Sequence, residues 1–256
     1  MNRRSTDLEN PSSLQQLPTS GMTVPLVAAK QQLRSLMKQR LSSLSQDAVI
    51  AQSRSIYDAL QDFKPYREAT RISIFLSMPT GEVQTDAIVR HALSCGKQVF
   101  VPYLHKPSVD VPDAPARLMD MVSLASIHDY EALRPDGWGI PSVDPATLDG
   151  RRRVLGGSSE LPALDLMLMP GVAFDSDDAG RIRRLGHGKG FYDFFLNRYL
   201  AVAGGRPPPL LYGLALTEQL LSPSSGEQVP VDVHDRNLHG LILGSGQLRE
   251  SSSSGT

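Results

Sequence analysis

The chain has 256 residues, a formal net charge of -1 and an apolar fraction of 40%, which are typical of a globular protein with a real core. The near-neutral charge argues against a broad basic surface for nucleic acid or an anionic membrane, but it is compatible with a small anionic ligand. Cys95 is the only cysteine, so an internal disulfide and a thiolate zinc site are excluded. No apolar run has the length needed to cross a bilayer.

The amino-terminal segment, residues 1–24, has little to bury. It carries Asp7 and Glu9 early and lacks an apolar stretch, which argues against a secretory signal and makes a mitochondrial presequence the less favoured alternative to a cytoplasmic protein. We expect a disordered extension, in which Met1 and Met22 are alternative starts. The Ser- and Gly-rich residues 245–256 are also expected to be disordered, which leaves one domain at residues 25–244.

Between these ends, helical and extended patterns alternate. Apolar residues recur at three- and four-residue steps from Val27 to Leu44 and resume at Ile56 to Leu60, which predicts amphipathic helices. Further helices are predicted at residues 85–94 and 190–200. Short apolar runs predict strands at residues 71–76, 97–103, 116–124, 163–175, 209–216 and 239–244. Residues 105–115 and 148–159 read as surface loops.

This alternation predicts an α/β fold: an open, mostly parallel sheet, flanked by helices on both faces and forming a single domain. In such folds, ligands bind at the carboxyl ends of the strands. The sequence contains no internal repeat and no second core.

The most informative local pattern is the run RLGHGKGFYD, residues 184–193, which follows the fourth predicted strand and opens a helix. Three alternating glycines allow backbone N–H groups to approach phosphate oxygens, and the helix amino terminus adds favourable partial charge. Arg184, His187 and Lys189 add further donors. The run therefore predicts an anion site, although it is neither a Walker A loop nor a GxGxxG fingerprint. A glycine-rich turn with solvated basic residues is the alternative.

Acidic and basic residues elsewhere fit a phosphate site. Asp193 lies in the first turn after the glycines, where a carboxylate can hold a magnesium ion or simply favour the helix dipole. Asp235 is a second candidate acid. Lys30 and Arg34 lie four residues apart on the first helix, so both can point at one anion, unless they belong to a solvated basic face continued by Lys38.

Taken together, these pieces resemble the 5-formyltetrahydrofolate cyclo-ligase family, also called 5,10-methenyltetrahydrofolate synthetases, over residues 28–244. The resemblance is carried by the following segments in this order: KQQLR, RISIFLSM and EVQT, MDMV, GWGIP, LMPGVAFD, RLGHGKGFYD and VPVDVHD. It implies an enzyme of folate one-carbon metabolism that uses ATP and Mg²⁺. In the reaction that the resemblance implies, the formyl oxygen attacks the γ-phosphate with release of ADP, N10 then attacks the activated carbon, and loss of phosphate leaves the methenyl bridge.

The resemblance also implies site residues. Those for ATP are Lys30, Arg34, Arg184, Leu185, Gly186, His187, Gly188, Lys189, Gly190, Phe191 and Tyr192. Those for the folate are Arg34, Leu76, Glu82, Trp138, His187, Gly188, Lys189, Gly190, Phe191 and Tyr192. Asp193 and Asp235 are implied for magnesium. Glu82 would hydrogen-bond the pterin and Trp138 would stack on it, although Glu82 alone reads equally as a helix-capping acid and Trp138 as a core residue.

The sequence departs from the family pattern at several places. The link from Gly180 to Leu185 is about two residues longer, Phe191 replaces a usual tyrosine, and His239 stands where an aspartate is usual. The loop at residues 105–115 and the run Arg151–Arg153 look inserted. A non-catalytic folate- or nucleotide-binding regulator is therefore the main alternative; an RNA-binding protein and a kinase of another small metabolite fit less well. We expect a monomer that acts on small molecules, without nucleic-acid or membrane partners.

Overall fold

The computed structural model describes residues 24–107, 116–156, 163–203, 207–222, 224 and 226–252. Its helices are α1 Val24–Ser42, α2 Gln46–Asp62, α3 Lys64–Glu68, α4 Asp86–Ser94, α5 Ile127–Glu131 and α6 Phe191–Val202. Its strands are β1 Arg71–Ile74, β2 Gln98–His105, β3 Leu118–Ser123, β4 Arg134–Pro135, β5 Pro141–Ser142, β6 Leu166–Met169, β7 Ala173–Ser176, β8 Ile182–Leu185, β9 Leu210–Ala215, β10 Gly240–Leu243 and β11 Leu248–Glu250. Short 3-10 helices lie at Pro145–Gly150 and Thr217–Gln219.

Seven strands form the central sheet in the order β11-β10-β9-β6-β1-β2-β3. The five strands from β10 to β2 run parallel, and β11 and β3 add antiparallel edges. The predicted open, mostly parallel sheet is therefore confirmed. Among the described residues, no helix combines the length and apolarity needed to span a membrane.

The two faces of the sheet bury different helices because side chains alternate along a strand. On β6, Leu166 and Leu168 join the core formed with α2 and α4, whereas Met167 and Met169 join the core formed with α6. A third, smaller cluster holds α1 against the hairpin of β7 and β8. Helices thus cover both faces, as predicted.

The predicted single strand at residues 163–175 is wrong, because two strands occupy this stretch. Pro170 and Gly171 break the apolar run, and the chain turns so sharply that a side chain at Gly171 would collide with the ring of Phe174. β7 then pairs with β8 in a separate two-stranded sheet. The glycine-rich run therefore follows β8, a strand that the sequence pattern did not predict.

The predicted surface loop at residues 148–159 is also wrong in part. Val154 is fully buried, and its N–H donates to the carbonyl oxygen of Met121 over 2.9 Å. Arg153 forms a 2.9 Å ion pair with Asp120, which is fully buried on β3. Residues 157–159, and residues 108–115 of the other predicted loop, lie outside the described residues, whereas His105 belongs to β2.

The carboxyl-terminal segment is not disordered from residue 245 as predicted, because Leu248–Glu250 form β11. All three side chains are exposed, so backbone hydrogen bonds to β10 rather than apolar burial hold this edge strand. The hydroxyl of Tyr212 also donates to Glu250 over 3.2 Å. The predicted disorder of residues 1–23 and 253–256 falls outside the described residues, and Val24 already belongs to α1.

We predict that Asp120 is essential for stability. One oxygen of its buried carboxylate accepts from the N–H groups of Met121 and Leu155, and the other accepts from Arg153. Asp120→Ala should lower the free energy of unfolding by about 3 kcal/mol, because it leaves these donors without an acceptor. Urea denaturation measures the change. Glu68→Ala, which breaks an exposed pair with Lys64, should cause no measurable change; equal losses in both variants would contradict the prediction.

Candidate active site

The candidate site is built on the loop Gly186–Gly190, which joins β8 to α6. Gly188 and Gly190 have φ values of 93° and 65°, in the left-handed region that other residues avoid. Gly190 is the residue immediately before the first turn of α6. The glycines therefore allow the sharp entry into α6 that directs its amino terminus towards the loop, as an anion site requires.

Helix α1 reaches this loop through Arg34. The Nε of Arg34 donates to the carbonyl oxygen of Gly186 over 2.9 Å. A Cβ atom added to Gly188 would lie 3.1 Å from Cζ of Arg34, so the guanidinium lies directly against the glycine loop. Burial lowers the pKa of Arg34, and the charge of Asp235 partly offsets this; an arginine remains positively charged nonetheless.

Lys30 lies one helical turn before Arg34 and points the same way, as four-residue spacing dictates. It is 7% exposed, and its Nζ lies 2.5 Å from Oδ2 of Asp235. The alternative of a solvated basic face is wrong for Lys30 and Arg34; it holds only for the exposed Lys38. Two cations from the amino-terminal helix thus meet the glycine loop and Asp235.

The two predicted magnesium ligands lie close together. Asp193 accepts 2.8 Å from Nη2 of the buried Arg184 and, at its other oxygen, 3.2 Å from the backbone N–H of Arg236. Because Arg236 directly follows Asp235, this contact brings both carboxylates to the amino end of α6. No group of three or more potential metal ligands occurs among the described residues, so the protein itself offers carboxylates without a complete cage.

On the other side of the loop lies the buried Glu82. Its Oε2 accepts from the N–H of Met78 over 2.9 Å, and its Oε1 lies 3.6 Å from Nε2 of His187. Burial raises the pKa of Tyr192, and the charge of Glu82 raises it further. The Tyr192 hydroxyl therefore stays protonated and able to donate. Its ring also packs against the Arg184 guanidinium, with Cζ 5.5 Å from the ring centroid.

Other predicted residues differ in exposure. Leu76 is 6% exposed just beyond β1, and Leu185 is buried at the end of β8. Lys189 is exposed and Phe191 half-buried. Trp138 is 63% exposed, so its alternative interpretation as a core residue is wrong.

Trp138 belongs to a tight turn that lies near Glu82. A Cβ added to Gly139 would meet Cγ of Pro79 at 2.7 Å, and Pro79 precedes Glu82 by three residues. The turn is fixed by the carboxylate of Asp136, which accepts from the N–H groups of Trp138 and Ile140. The exposed indole and the buried carboxylate are therefore on neighbouring loops.

Arg236 is a site residue that the sequence analysis missed. Besides its backbone contact with Asp193, its guanidinium donates to Oδ1 of Asn197 on α6. Its position directly after Asp235 was the available signal. His239, by contrast, directly precedes β10 and lies beside the amino end of β9, where its Nδ1 accepts from the N–H of Leu211 over 2.9 Å.

Comparison with known proteins identifies the family of this chain. Residues 27–243 match the model of the 5-formyltetrahydrofolate cyclo-ligase family. The chain belongs to this family. It is 35% identical to the 5-formyltetrahydrofolate cyclo-ligase of Mus musculus, over 86% of this chain and 95% of the relative. It is 31% identical to that of Saccharomyces cerevisiae, over 87% and 98% respectively.

A solved structure has the cyclo-ligase family's fold in common with this chain. The 5,10-methenyltetrahydrofolate synthetase of Aquifex aeolicus superposes with a TM-score of 0.58 at 20% sequence identity. The superposition covers 89% of this chain and 95% of that one.

We predict that Gly188→Ala and Gly190→Ala will destabilise the protein alike but will differ in their effect on anion binding. Both substitutions should destabilise the protein by about 1–2 kcal/mol because both φ values are positive. Only Gly188→Ala also introduces a Cβ against Arg34, since nothing lies within 4 Å of a Cβ at Gly190. Calorimetric titration with inorganic pyrophosphate should show roughly tenfold weaker binding for Gly188→Ala than for Gly190→Ala. Equal weakening in both variants would show that Arg34 does not help to bind the anion.

Proposed function

We propose that this protein converts 5-formyltetrahydrofolate to 5,10-methenyltetrahydrofolate in a reaction driven by ATP, with ADP and phosphate as the other products. The observation that carries the proposal is the placement of one loop between two different sites. Gly186–Gly190 touches Arg34 on one side and, through His187, Glu82 on the other. A loop of this kind can hold the transferable phosphate of ATP beside the formyl group of a folate.

On the side of the loop that faces Arg34 and Lys30, the site would neutralise the charge of the bound phosphates. Phosphoryl transfer asks a protein mainly to align the reacting atoms and to stabilise charge on the transferred group. The N–H groups of the glycine loop, Arg34 and Lys30 supply donors for this purpose. Lys30 has three ammonium protons, so its contact with Asp235 leaves donors for a phosphate oxygen.

On the side of the loop that faces Glu82, the site would supply hydrogen-bond acceptors and an apolar surface for the folate. A pterin presents an amide and an amino group, which suit the buried carboxylate of Glu82. The 3.6 Å approach of His187 is a weak contact that a bound pterin can replace. The exposed indole of Trp138 is placed to stack on the flat ring, and Leu76 contributes to the buried floor next to β1.

Asp193 and Asp235 would hold the magnesium ion that accompanies ATP. Magnesium is commonly bound by one or two carboxylates together with substrate phosphates, rather than by an all-protein cage. The pair at the amino end of α6 fits that pattern. Such an ion would neutralise charge between phosphate groups, while Arg184 and the N–H of Arg236 orient the Asp193 carboxylate.

The structure weakens the case for a non-catalytic regulator. The longer link before Leu185 is accommodated in the hairpin, whose turn is closed by hydrogen bonds between Asp177 and Arg181. His239 pairs with the backbone of Leu211 at the amino end of β9. The contacts of the glycine loop with Arg34 and Glu82 involve neither departure from the family pattern.

We further propose a monomer that acts on these two small molecules in the cytoplasm, without a nucleic-acid or membrane partner. The net charge of -1 supports the absence of a nucleic-acid partner.

The reaction is tested with the purified full chain, (6S)-5-formyltetrahydrofolate, ATP and magnesium chloride, by following the near-ultraviolet absorbance of the methenyl product. Product should form only with ATP, stop on addition of EDTA and resume with excess magnesium. Absence of ATP-dependent product from folded protein would overturn the proposed function. Product that persists in EDTA would contradict the metal assignment alone.

Two variants assign the two halves of the site. Asp193→Asn keeps one acceptor oxygen, which can face Arg184, but removes the negative charge, so kcat should fall roughly 100-fold. Asp177→Asn is its matched control, because Asp177 pairs with Arg181 in the hairpin turn, and it should retain normal activity.

Glu82→Gln should raise the KM for the folate about tenfold or more and change the KM for ATP little. A larger change in the KM for ATP than in the KM for the folate would contradict the assignment of Glu82 to the folate.

A further inference from the structure

The loop that joins β1 to α4, residues 75–85, closes around the side chain of Gln84. The Nε2 of Gln84 donates to the carbonyl oxygen of Met78 over 3.0 Å and to that of Glu82 over 2.9 Å. Carbonyl oxygens only accept, so both hydrogens of the side-chain amide are used and its orientation is fixed. One carboxamide therefore ties the first half of the loop to the residue that is proposed to bind the pterin.

Gln84 is itself anchored at two further points. Its Oε1 accepts from the hydroxyl of Ser77 over 3.5 Å, and its backbone N–H donates to Oγ of Ser53 on α2 over 2.9 Å. Ser53 is buried, and its hydroxyl donates to the carbonyl oxygen of Val49 one turn earlier. The group that closes the loop is thus fixed to a buried position of a packed helix.

The direction of the Glu82 carboxylate depends on the same closure. Oε2 of Glu82 accepts from the N–H of Met78, and the carbonyl oxygen of Met78 accepts from Gln84. Both polar groups of the Met78 backbone are therefore held, one by Glu82 and one by Gln84. If the Gln84 contacts were lost, the backbone that orients the buried carboxylate would be free to move.

The turn that carries Trp138 rests on this loop as well. Pro79 directly follows Met78, and a Cβ added to Gly139 would lie 2.7 Å from Cγ of Pro79. A displacement of Met78 and Pro79 would therefore move the indole together with the Glu82 carboxylate. Both groups proposed to contact the pterin depend on one closed loop.

We propose that Gln84 is a positioning residue of the folate site, which holds Glu82 and the Trp138 turn in the geometry that receives the pterin. The inference rests on the proposed function and extends it from the groups that contact the folate to the group that fixes them. Gln84 acts through these two residues. Its contribution is preorganisation, because a loop that is already closed loses less conformational entropy when a ligand binds.

The kinetic test uses Gln84→Met, which keeps the length of the side chain but cannot donate to the two carbonyl oxygens. Gln52→Met is the matched control, because Gln52 on α2 also ties a distant loop to that helix, through Thr217 and Glu218. Gln84→Met should raise the KM for 5-formyltetrahydrofolate about tenfold and leave the KM for ATP nearly unchanged. Gln52→Met should change neither constant.

Trp138 provides a second readout that does not depend on turnover, because it is the only tryptophan of the chain. Its fluorescence is followed while the full chain is titrated with 5-formyltetrahydrofolate in the absence of ATP. Binding should be about tenfold weaker in Gln84→Met than in the wild type or Gln52→Met. The fluorescence anisotropy of the ligand-free protein should also fall in Gln84→Met, since the turn is less restrained.

Ser77→Ala is a milder variant for the case that urea denaturation shows Gln84→Met to be unfolded. It removes the hydroxyl that donates to Gln84 and accepts from the N–H of Thr85. It should weaken folate binding about two- to threefold.

The inference is overturned by unchanged folate binding in folded Gln84→Met, by equal weakening of folate and ATP, or by an equal loss in Gln52→Met. If Gln84→Met is unfolded, unchanged folate binding in Ser77→Ala overturns it. Folate binding that depends on Gln84, in a protein that forms no methenyl product, would support the positioning role while rejecting the proposed reaction. A wild-type chain that binds no folate would contradict both.

Discussion

The site depends on the attachment of α1 to the hairpin of β7 and β8. Leu33 and Met37 pack into a small apolar cluster with Ala173 and Leu185, and this packing delivers Lys30 and Arg34 to the glycine loop. Without it, the cations would have no fixed relation to Gly186 or Asp235. The seven-stranded sheet supports this arrangement by fixing the end of β6, from which the hairpin starts. Apolar packing thus sets the position of the charges.

Most central strands follow from the sequence because their residues are continuously apolar, as strands covered on both faces require. The hairpin of β7 and β8 was not predicted, because Pro170 and Gly171 lie inside a longer apolar run. The pattern of apolar residues in that run does not indicate a turn. Strand β11 was not predicted because its side chains are all exposed. Edge strands are held by backbone hydrogen bonds, which leave no hydrophobic pattern to read.

The candidate site was predictable in its residue types but not in its pairings. The four-residue spacing of Lys30 and Arg34 indicates a shared face, whereas their orientation depends on packing against distant segments. The contact of Lys30 with Asp235 joins residues 205 positions apart, and no local pattern encodes it. Arg236 was missed for the same reason, since its role arises from a backbone contact with Asp193. The family resemblance supplied a role for Asp193 and Asp235, which spacing alone did not, but it did not supply Arg236.

The contact between Lys30 and Asp235 also has a consequence for biosynthesis. Helix α1 is synthesised before the strands of the central sheet, yet the charged partner of Lys30 is made 205 residues later. Closing so long a loop has an entropic cost that must be met by contacts formed earlier. The nascent sheet can assemble strand by strand, whereas the contact between Lys30 and Asp235 forms only after the carboxyl-terminal segment has left the ribosome. A prematurely terminated chain would therefore retain much of the core but lack a competent site.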